Sequence, residues 1–313
     1  MNLPDLPIRT LENDVCRLLP HRHLVIAAET GSGKSTLLPL WAAKHGRVLV
    51  IEPRRVACLA LADYVAELSE STLGERVGYA VRLEQCYQAD TEILFVTPGI
   101  ALRWLAEDGL AGFDLVLLDE FHERRWDTDL LLAILKARAA HRLIITSATL
   151  SAQSLAAYLN AESLTAKGRN HEVAVRYKAA EPHYMPSLQG LEKATRNAVS
   201  EVLNDTDGDV LVFLPGKAEL NSCQAALKDL DVELLQLHGG VSAQVQQKVL
   251  HQGDRRRVIL ATNVAETSLT LPAITAVVDS GLERRTLQRN GRTVLSLAPI
   301  SKASAEQRKG RAG

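Results

Sequence analysis

Short β-branched apolar runs alternate with segments whose apolar residues recur at helical spacing along this chain. A continuous apolar run of this kind is typical of a strand that is buried on both faces. In the first half of the chain such runs occupy residues 24–28, 47–52, 91–97, 113–119 and 141–146. The alternation predicts βαβ units, and therefore a mainly parallel sheet with helices on both faces.

The pattern loosens into small and polar residues between about residues 160 and 170. It then resumes, with strands predicted at 173–177, 209–216, 232–239, 256–262 and 276–282 and a hairpin turn at Asn290-Gly291. A length of 313 residues also exceeds what one core usually accommodates. The sequence therefore predicts an α/β protein with two tandem domains, 1–165 and 166–313.

Charge and cysteine content narrow the classes of function. The 36 Lys and Arg are nearly balanced by 37 Asp and Glu, so any nucleic-acid contact would need a local basic groove. The four cysteines are scattered without a CxxC pair, which argues against a zinc site and favours a reducing compartment. No apolar run approaches the roughly 20 residues that span a bilayer, and the first residues lack a signal-peptide core. A cytoplasmic location without membrane contact is predicted.

The segment AETGSGKST, residues 28–36, lies between a predicted strand and a predicted helix. Glycines in such a turn let successive backbone N–H groups point at an anion, and the helix adds its positive N-terminal end. Lys34 is then predicted to reach terminal phosphates, and the Ser35 hydroxyl to hold Mg²⁺. Ala28 replaces the usual first glycine, and an ordinary Gly/Ser turn is the alternative interpretation. The predicted nucleotide-binding residues are Glu29, Thr30, Gly31, Ser32, Gly33, Lys34, Ser35 and Thr36.

Polar residues also follow two later strands of the first domain, and ligands of open α/β sheets gather at such carboxyl ends. Asp119 ends an apolar run at the place of a Mg²⁺-orienting carboxylate, and Glu120 is suited to orient or deprotonate an attacking water. The alternative is a capped helix start, and His122 alone is more typical of a structural histidine. Ser147 and Thr149 follow the other strand.

The second domain has two polar segments of its own. Residues 262–270 place Thr262, Ser268 and Thr270 just after a buried strand, although a capped turn would use the same residue types. Near the end of the chain, Arg308 and Arg311 lie among small residues. They are either a solvated basic end or a source of positive charge for a γ-phosphate in a transition state.

The ordered set of these segments resembles the DExH-box ATP-dependent RNA helicases of superfamily two, and their bacterial HrpB-like branch most closely. The resemblance rests on AETGSGKST, EPRRVA, VTPGIALRWL, DEFHER, SAT, LVFLPG, ATNVAETSLT and ISKASAEQRKGRAG, which follow one another in the family's order over most of the chain. Phe121 occupies the variable position of the DExH box. The resemblance implies two tandem RecA-like domains with ATP and Mg²⁺ in the cleft between them.

Roles are implied residue by residue. Ser35, Asp119 and Glu120 would hold or orient Mg²⁺, and Glu120 would position the lytic water. His122 would couple to Gln307, and Arg311 would face the γ-phosphate. The implied catalytic residues are Asp119, Glu120, His122, Gln307, Arg308 and Arg311, and Ser268 joins the nucleotide-binding set.

Nucleic-acid contacts are implied for Arg54, Arg55, Thr97, Ser147, Thr149, Thr262 and Thr270. Contacts of this kind hold phosphate and sugar, so little base specificity is expected. Ser147 and Thr149 would link hydrolysis to strand binding. Single-stranded RNA is the predicted partner, with single-stranded DNA as the alternative.

The last motif of the family continues by one further arginine beyond the position of Gly313. We therefore expect a fragment of a helicase that binds nucleotide but hydrolyses it and unwinds strands weakly. A second hypothesis is a nucleotide-dependent RNA-binding switch without productive unwinding. A third, another phosphate-loop ATPase such as a transporter ATPase, leaves the second sheet and the QRKGRAG segment unexplained.

Overall fold

The chain forms two compact units, Met1–Asn170 and His171–Gly313, in a computed structural model. The structure describes residues 6–29, 31–147, 152–166, 173–178, 185–241, 245, 248–249, 253–266, 271, 273–289 and 292–312. Both units have a parallel sheet with helices packed on it, which confirms the predicted α/β class. None of the described helices is both long and apolar enough to cross a membrane.

The first unit contains an eight-stranded sheet in the order β4-β3-β5-β2-β6-β7-β1-β8. All neighbouring strands are parallel except β3 and β4. The strands are β1 (Leu24–Ala28), β2 (Val48–Ile51), β3 (Val77–Val81), β4 (Glu84–Cys86), β5 (Ile93–Val96), β6 (Leu115–Leu118), β7 (Arg142–Ser147) and β8 (Glu162–Ala166).

Helices cover both faces of this sheet because its central strands are apolar on both sides. In β2, Val48 and Val50 belong to one core cluster, whereas Leu49 and Ile51 belong to the other. The helices are α1 (Glu12–Leu18), α2 (Lys34–Ala42), α3 (Arg55–Leu68), α4 (Pro98–Glu107), α5 (Trp126–Arg138) and α6 (Ala152–Leu159), with short 3-10 turns at Pro7–Leu11, Ala43–His45 and Phe121–Glu123.

The second unit is built on a four-stranded parallel sheet in the order β10-β11-β9-β12, next in the chain to an antiparallel hairpin of β13 and β14. The turn predicted at 290–291 lies outside the described residues, and the strands on either side of it, β13 and β14, pair antiparallel. The elements are α7 (Leu191–Asp205), β9 (Asp209–Phe213), α8 (Lys217–Leu227), β10 (Glu233–Leu237), β11 (Arg257–Ala261), a 3-10 turn (Asn263–Ala265), β12 (Ile274–Asp279), β13 (Leu282–Arg289), β14 (Arg292–Pro299) and α9 (Lys302–Lys309).

The strand predicted at 173–177 is wrong, because residues 173–178 have neither helix nor strand structure. Its apolar side chains are not buried: Val175 is 52% exposed and Tyr177 is 90% exposed. The segment is instead tied to α7 by ion pairs, from Arg176 and Lys178 to Glu201. Apolar and polar residues alternate here as they do in a strand, but the segment pairs with no described strand.

One buried ion pair holds the start of β9 to the start of β11. The Arg257 and Asp209 side chains are 1% and 7% exposed, and their nearest N and O atoms are 2.6 Å apart. Asp209 also accepts the backbone N–H of Arg257 at 2.8 Å. Removing one partner of such a pair leaves a charge buried without its counter-charge.

We expect Asp209→Ala to lower the free energy of unfolding of the second unit by about 3–5 kcal/mol. The measurement is urea unfolding followed by hydrogen exchange in β9 and β11. The matched control is Asp231→Ala, since Asp231 also pairs with an arginine, at 2.8 Å, but is 99% exposed. That control should leave unfolding nearly unchanged. Equal effects of the two variants would contradict a stabilising role for the buried pair.

Candidate active site

Three neighbouring strands of the first sheet bring the predicted polar residues to one edge. β7 pairs with β6 on one side and with β1 on the other, both in parallel. The register sets Ala27 opposite Ser147 and Leu118 opposite Ile145. The glycine loop after β1, Asp119 after β6 and Ser147 at the end of β7 therefore lie together at the carboxyl edge.

Two glycines of the loop adopt backbone conformations that favour glycine. Gly31 and Gly33 have φ angles of 79° and 93°, a left-handed region that side chains disfavour. A Cβ on Gly33 would also approach Leu6 Cδ1 to 2.7 Å, whereas one on Gly31 would meet nothing within 4 Å. The Ile8 N–H donates to the Ser32 carbonyl at 3.0 Å, so the segment before α1 is hydrogen-bonded to the loop.

Lys34 starts α2 and is only 3% exposed. Its ammonium donates to the carbonyls of Ala28 at 2.7 Å and Glu29 at 2.8 Å, which points the charge back across the loop. Ala28 is not among the residues with positive φ, so the loop does not need glycine there. Ser35 and Thr36, next on the helix, are 8% and 4% exposed.

Asp119 is completely buried and held in one orientation. Its Oδ1 accepts the hydroxyl of Thr146 and, at 3.0 Å, the N–H of Glu120. Its Oδ2 is buried and has no hydrogen-bond partner among the described residues. Thr146 was not a predicted site residue. A hydroxyl near the end of an otherwise apolar strand was the available signal.

Glu120 adopts a left-handed conformation, with φ of 50°, at the start of the 3-10 turn. This conformation is strained for a residue with a side chain and turns the chain sharply after β6. His122 Nε2 lies 3.3 Å from Glu120 Oε2, and both side chains are almost fully buried. Burial lowers the pKa of His122, although Glu123 opposes the shift, so His122 is neutral at pH 7.

A further chain of charges runs from the end of β2 to the same turn. Glu52 is fully buried, and its Oε1 accepts the backbone N–H of Arg54 at 3.1 Å. Burial raises the pKa of Glu52 well above its usual range, and the carboxylates of the DEFHER segment add to the effect. Arg54 Nη2 lies 2.9 Å from Glu123 Oε1 in a largely buried pair. Neither Glu52 nor Glu123 was predicted as a site residue.

The other predicted nucleic-acid residues of the first unit are more dispersed. Arg55 is exposed and pairs with Glu84 on β4. Thr97 is half-buried and precedes α4, and Ser147 is 1% exposed. The predicted Thr30, Thr149, Ser268 and Thr270 lie outside the described residues.

Two of the predicted residues of the second unit, Arg308 and Arg311, contact Glu266 in the turn after β11. Arg308 is 1% exposed and bonds Glu266 and Asp279, so its guanidinium is enclosed within the unit. Arg311 Nε donates to the Glu266 carbonyl at 3.1 Å. Gln307 is half-buried on α9. Thr262 is half-buried after β11, and its N–H donates to Leu237.

The first unit is suited to Mg²⁺ only together with a phosphate ligand. Within the described part of the chain, no group of three or more His, Cys, Asp or Glu side chains could hold a metal ion. Mg²⁺ commonly binds through one or two protein oxygens, with phosphates and waters completing its shell. Asp119 Oδ2, buried and without a partner in the part of the chain that the structure describes, fits that requirement.

Comparisons with known proteins agree with the motif order. Residues 13–157 match the DEAD/DEAH box helicase family, and residues 194–313 match the helicase conserved C-terminal domain. The ATP-dependent RNA helicase HrpB of Escherichia coli (strain K12) is 39% identical and aligns with 93% of this chain and 38% of that protein. The ATP-dependent RNA helicase HrpA homolog of Haemophilus influenzae is 38% identical and aligns with 98% of this chain and 25% of that protein.

A crystal structure of the Escherichia coli DEAH/RHA helicase HrpB superimposes with a TM-score of 0.87 at 36% identity, covering 99% of this chain and 41% of that one. This similarity confirms the prediction of tandem RecA-like domains. The chain thus spans between 25% and 41% of the length of these relatives. Two matching family regions, relatives above 30% identity and a shared fold lead to one conclusion: the chain belongs to the DEAD/DEAH box helicase family.

Proposed function

We propose that this chain is the core of an ATP-dependent RNA helicase, which binds ATP with Mg²⁺, hydrolyses it and uses the energy to move along single-stranded RNA. The observation that carries the proposal is the shared edge of β1, β6 and β7, where a glycine loop, a buried lysine and two buried acids meet. The names of the relatives, all RNA helicases that depend on ATP, support the substrate assignment.

The phosphates bind to the N–H groups of the loop and to the positive end of α2. Lys34 adds a buried positive charge that is already directed across the loop. Ser35 and Asp119 would hold Mg²⁺, whose positive charge would offset the negative charge of the phosphates. Thr146 keeps the Asp119 carboxylate in its orientation.

Glu120 orients the attacking water, and neutral His122 holds Glu120 while coupling to Gln307 of the second domain. Arg311 stabilises charge that develops on the γ-phosphate. The Arg54, Arg55, Thr97, Ser147 and Thr262 side chains contact the RNA backbone, joined by Thr149 and Thr270, and Ser268 contacts the nucleotide. Because these contacts read phosphate and sugar, single-stranded DNA is the alternative strand.

The Arg54–Glu123 ion pair connects the RNA contact to the hydrolytic segment, since Glu123 lies only three positions from Glu120. RNA phosphate competes with Glu123 for Arg54. Strand binding therefore changes the contacts of the 3-10 turn that follows Glu120. A cytoplasmic location belongs to the same proposal.

The first experiment measures the ATPase rate with and without single-stranded RNA. We expect RNA to raise the rate, and Lys34→Ala to lower it by about 100-fold or more, as expected when a donor to the transition state is lost. The control is Lys44→Ala, because Lys44 is 55% exposed and pairs with Glu12 away from the loop. If ATP and RNA bind but no hydrolysis occurs in any RNA concentration, the binding-switch function replaces helicase activity.

We expect Thr146→Val to weaken Mg²⁺-dependent nucleotide binding by about 10-fold, the lower range for residues that orient a metal ligand. Affinity in excess chelator should remain as in the wild type, since the valine keeps the shape of the strand. Thr128→Val is the matched control. Thr128 lies on α5 and is 2% exposed, but its hydroxyl donates to the carbonyl of Arg125, just before that helix. An identical loss in both variants would show a general packing defect.

We expect Arg54→Ala to weaken RNA binding to a similar extent for all sequences and to reduce the slope of log affinity against log salt by about 0.7, the value of one phosphate contact on a single strand. Fluorescence anisotropy at several salt concentrations measures both quantities. Arg103→Ala is the control, because Arg103 is 60% exposed on α4 and pairs with Glu107. An unchanged salt slope in Arg54→Ala would remove Arg54 from the RNA-binding surface.

A further inference from the structure

A buried polar cluster joins the turn after β11 to the last helix of the second unit. Its members are Glu266, Ser304 and Arg308, which are 7%, 7% and 1% exposed. Glu266 follows directly after the 3-10 turn Asn263–Ala265, whereas the other two lie on α9. The cluster therefore connects segments that are far apart in the sequence.

Glu266 uses both oxygens of its carboxylate within this cluster. Oε1 accepts the Ser304 hydroxyl, and Oε2 accepts Arg308 Nε at 3.0 Å. Charge-assisted bonds of this kind are stronger and more directional than neutral ones. Two bonds from one carboxylate to successive turns of α9 set the position of the helix against the β11 turn.

Arg308 is engaged on its remaining sides as well. Its Nη1 donates to Asp279 at 2.8 Å, at the end of β12, and its guanidinium carbon lies 4.7 Å from the centre of the Phe213 ring. An arginine that is 1% exposed and enclosed by two carboxylates and an aromatic ring has its charge satisfied inside the unit. Such a residue acts on its neighbours and does not extend to a ligand.

Arg311 contacts the same glutamate through the main chain. Its Nε donates to the Glu266 carbonyl at 3.1 Å, just beyond the end of α9. The backbone of Glu266 thus contacts Arg311 directly, while its side chain anchors α9, which ends two residues before Arg311.

We propose that Glu266 is the positioning residue that sets Arg311 for the terminal phosphate of the nucleotide, and that Arg308 contributes by holding Glu266. The proposal rests on the proposed function, in which Arg311 contacts that phosphate.

The test is the affinity of this chain for a fluorescent ATPγS, relative to the matching ADP, both with Mg²⁺. Only ATPγS has a γ-thiophosphate group for Arg311 to contact, so the ratio of the two affinities reports on the placement of Arg311. We expect Arg311→Ala to lower the ratio about 10-fold, as for one lost charged contact, and Glu266→Gln to lower it by a similar factor. Affinity for ADP should stay within about twofold of the wild type in both.

Glu219→Gln is the matched control. Glu219 is another buried glutamate of the second unit, 8% exposed and 2.7 Å from Arg284, but it lies on α8 outside this cluster. It should leave the ratio unchanged. Because residues that act together are not additive, Glu266→Gln combined with Arg311→Ala should lose no more than Arg311→Ala alone.

Ser304→Ala removes the hydrogen bond that the uncharged Ser304 hydroxyl donates to Glu266, and it leaves every charge in place. This variant therefore remains informative if Glu266→Gln fails to fold. We expect a smaller fall of the ratio in the same direction. If Arg311→Ala lowers the ratio while the Glu266 and Ser304 variants leave it unchanged, the cluster serves stability alone and the proposal is overturned. If the wild-type chain binds neither nucleotide, the proposed function itself fails, a distinct result.

Discussion

Parallel pairing of β6, β7 and β1 in register is the constraint on which the site depends. It sends three chain segments out of the sheet at one edge, where the glycine loop, Asp119 and Ser147 then lie together. The pairing is maintained because these strands are buried on both faces, so a shift by one residue would exchange the apolar clusters of opposite faces. The strand register that packs the core therefore also brings the site residues together.

Buried acidic side chains and basic side chains lie close together at this edge. Glu52 and Asp119 are fully buried acids, while Lys34 and Arg54 supply positive charge from neighbouring segments. Burial raises the pKa of Glu52 and lowers that of His122, so both shifts favour neutral groups and reduce the net charge that the core has to hold.

In the second unit a buried cluster lies at the carboxyl ends of β9, β11 and β12. Arg308 joins the ends of β9 and β12 to the turn after β11, and Glu266 joins that turn to α9. A buried arginine requires its partners in place, so these contacts fix α9 against the sheet. Arg311 lies two residues beyond this anchored helix.

The sequence by itself determined the α/β class, the glycine loop and the polar residues after β6, because continuous apolar runs and φ-demanding glycines are local signals. The strands β3, β4 and β8 were not predicted; β4 and β8 are half-exposed edge strands whose polar residues resemble a loop. The strand predicted at 173–177 was wrong because no described strand pairs with that segment. Only the tertiary structure decided that Thr146 orients Asp119, and that Arg308 is enclosed while Arg311 is held by a main-chain carbonyl. These roles depend on residues brought together from distant parts of the chain, and no local pattern records such contacts.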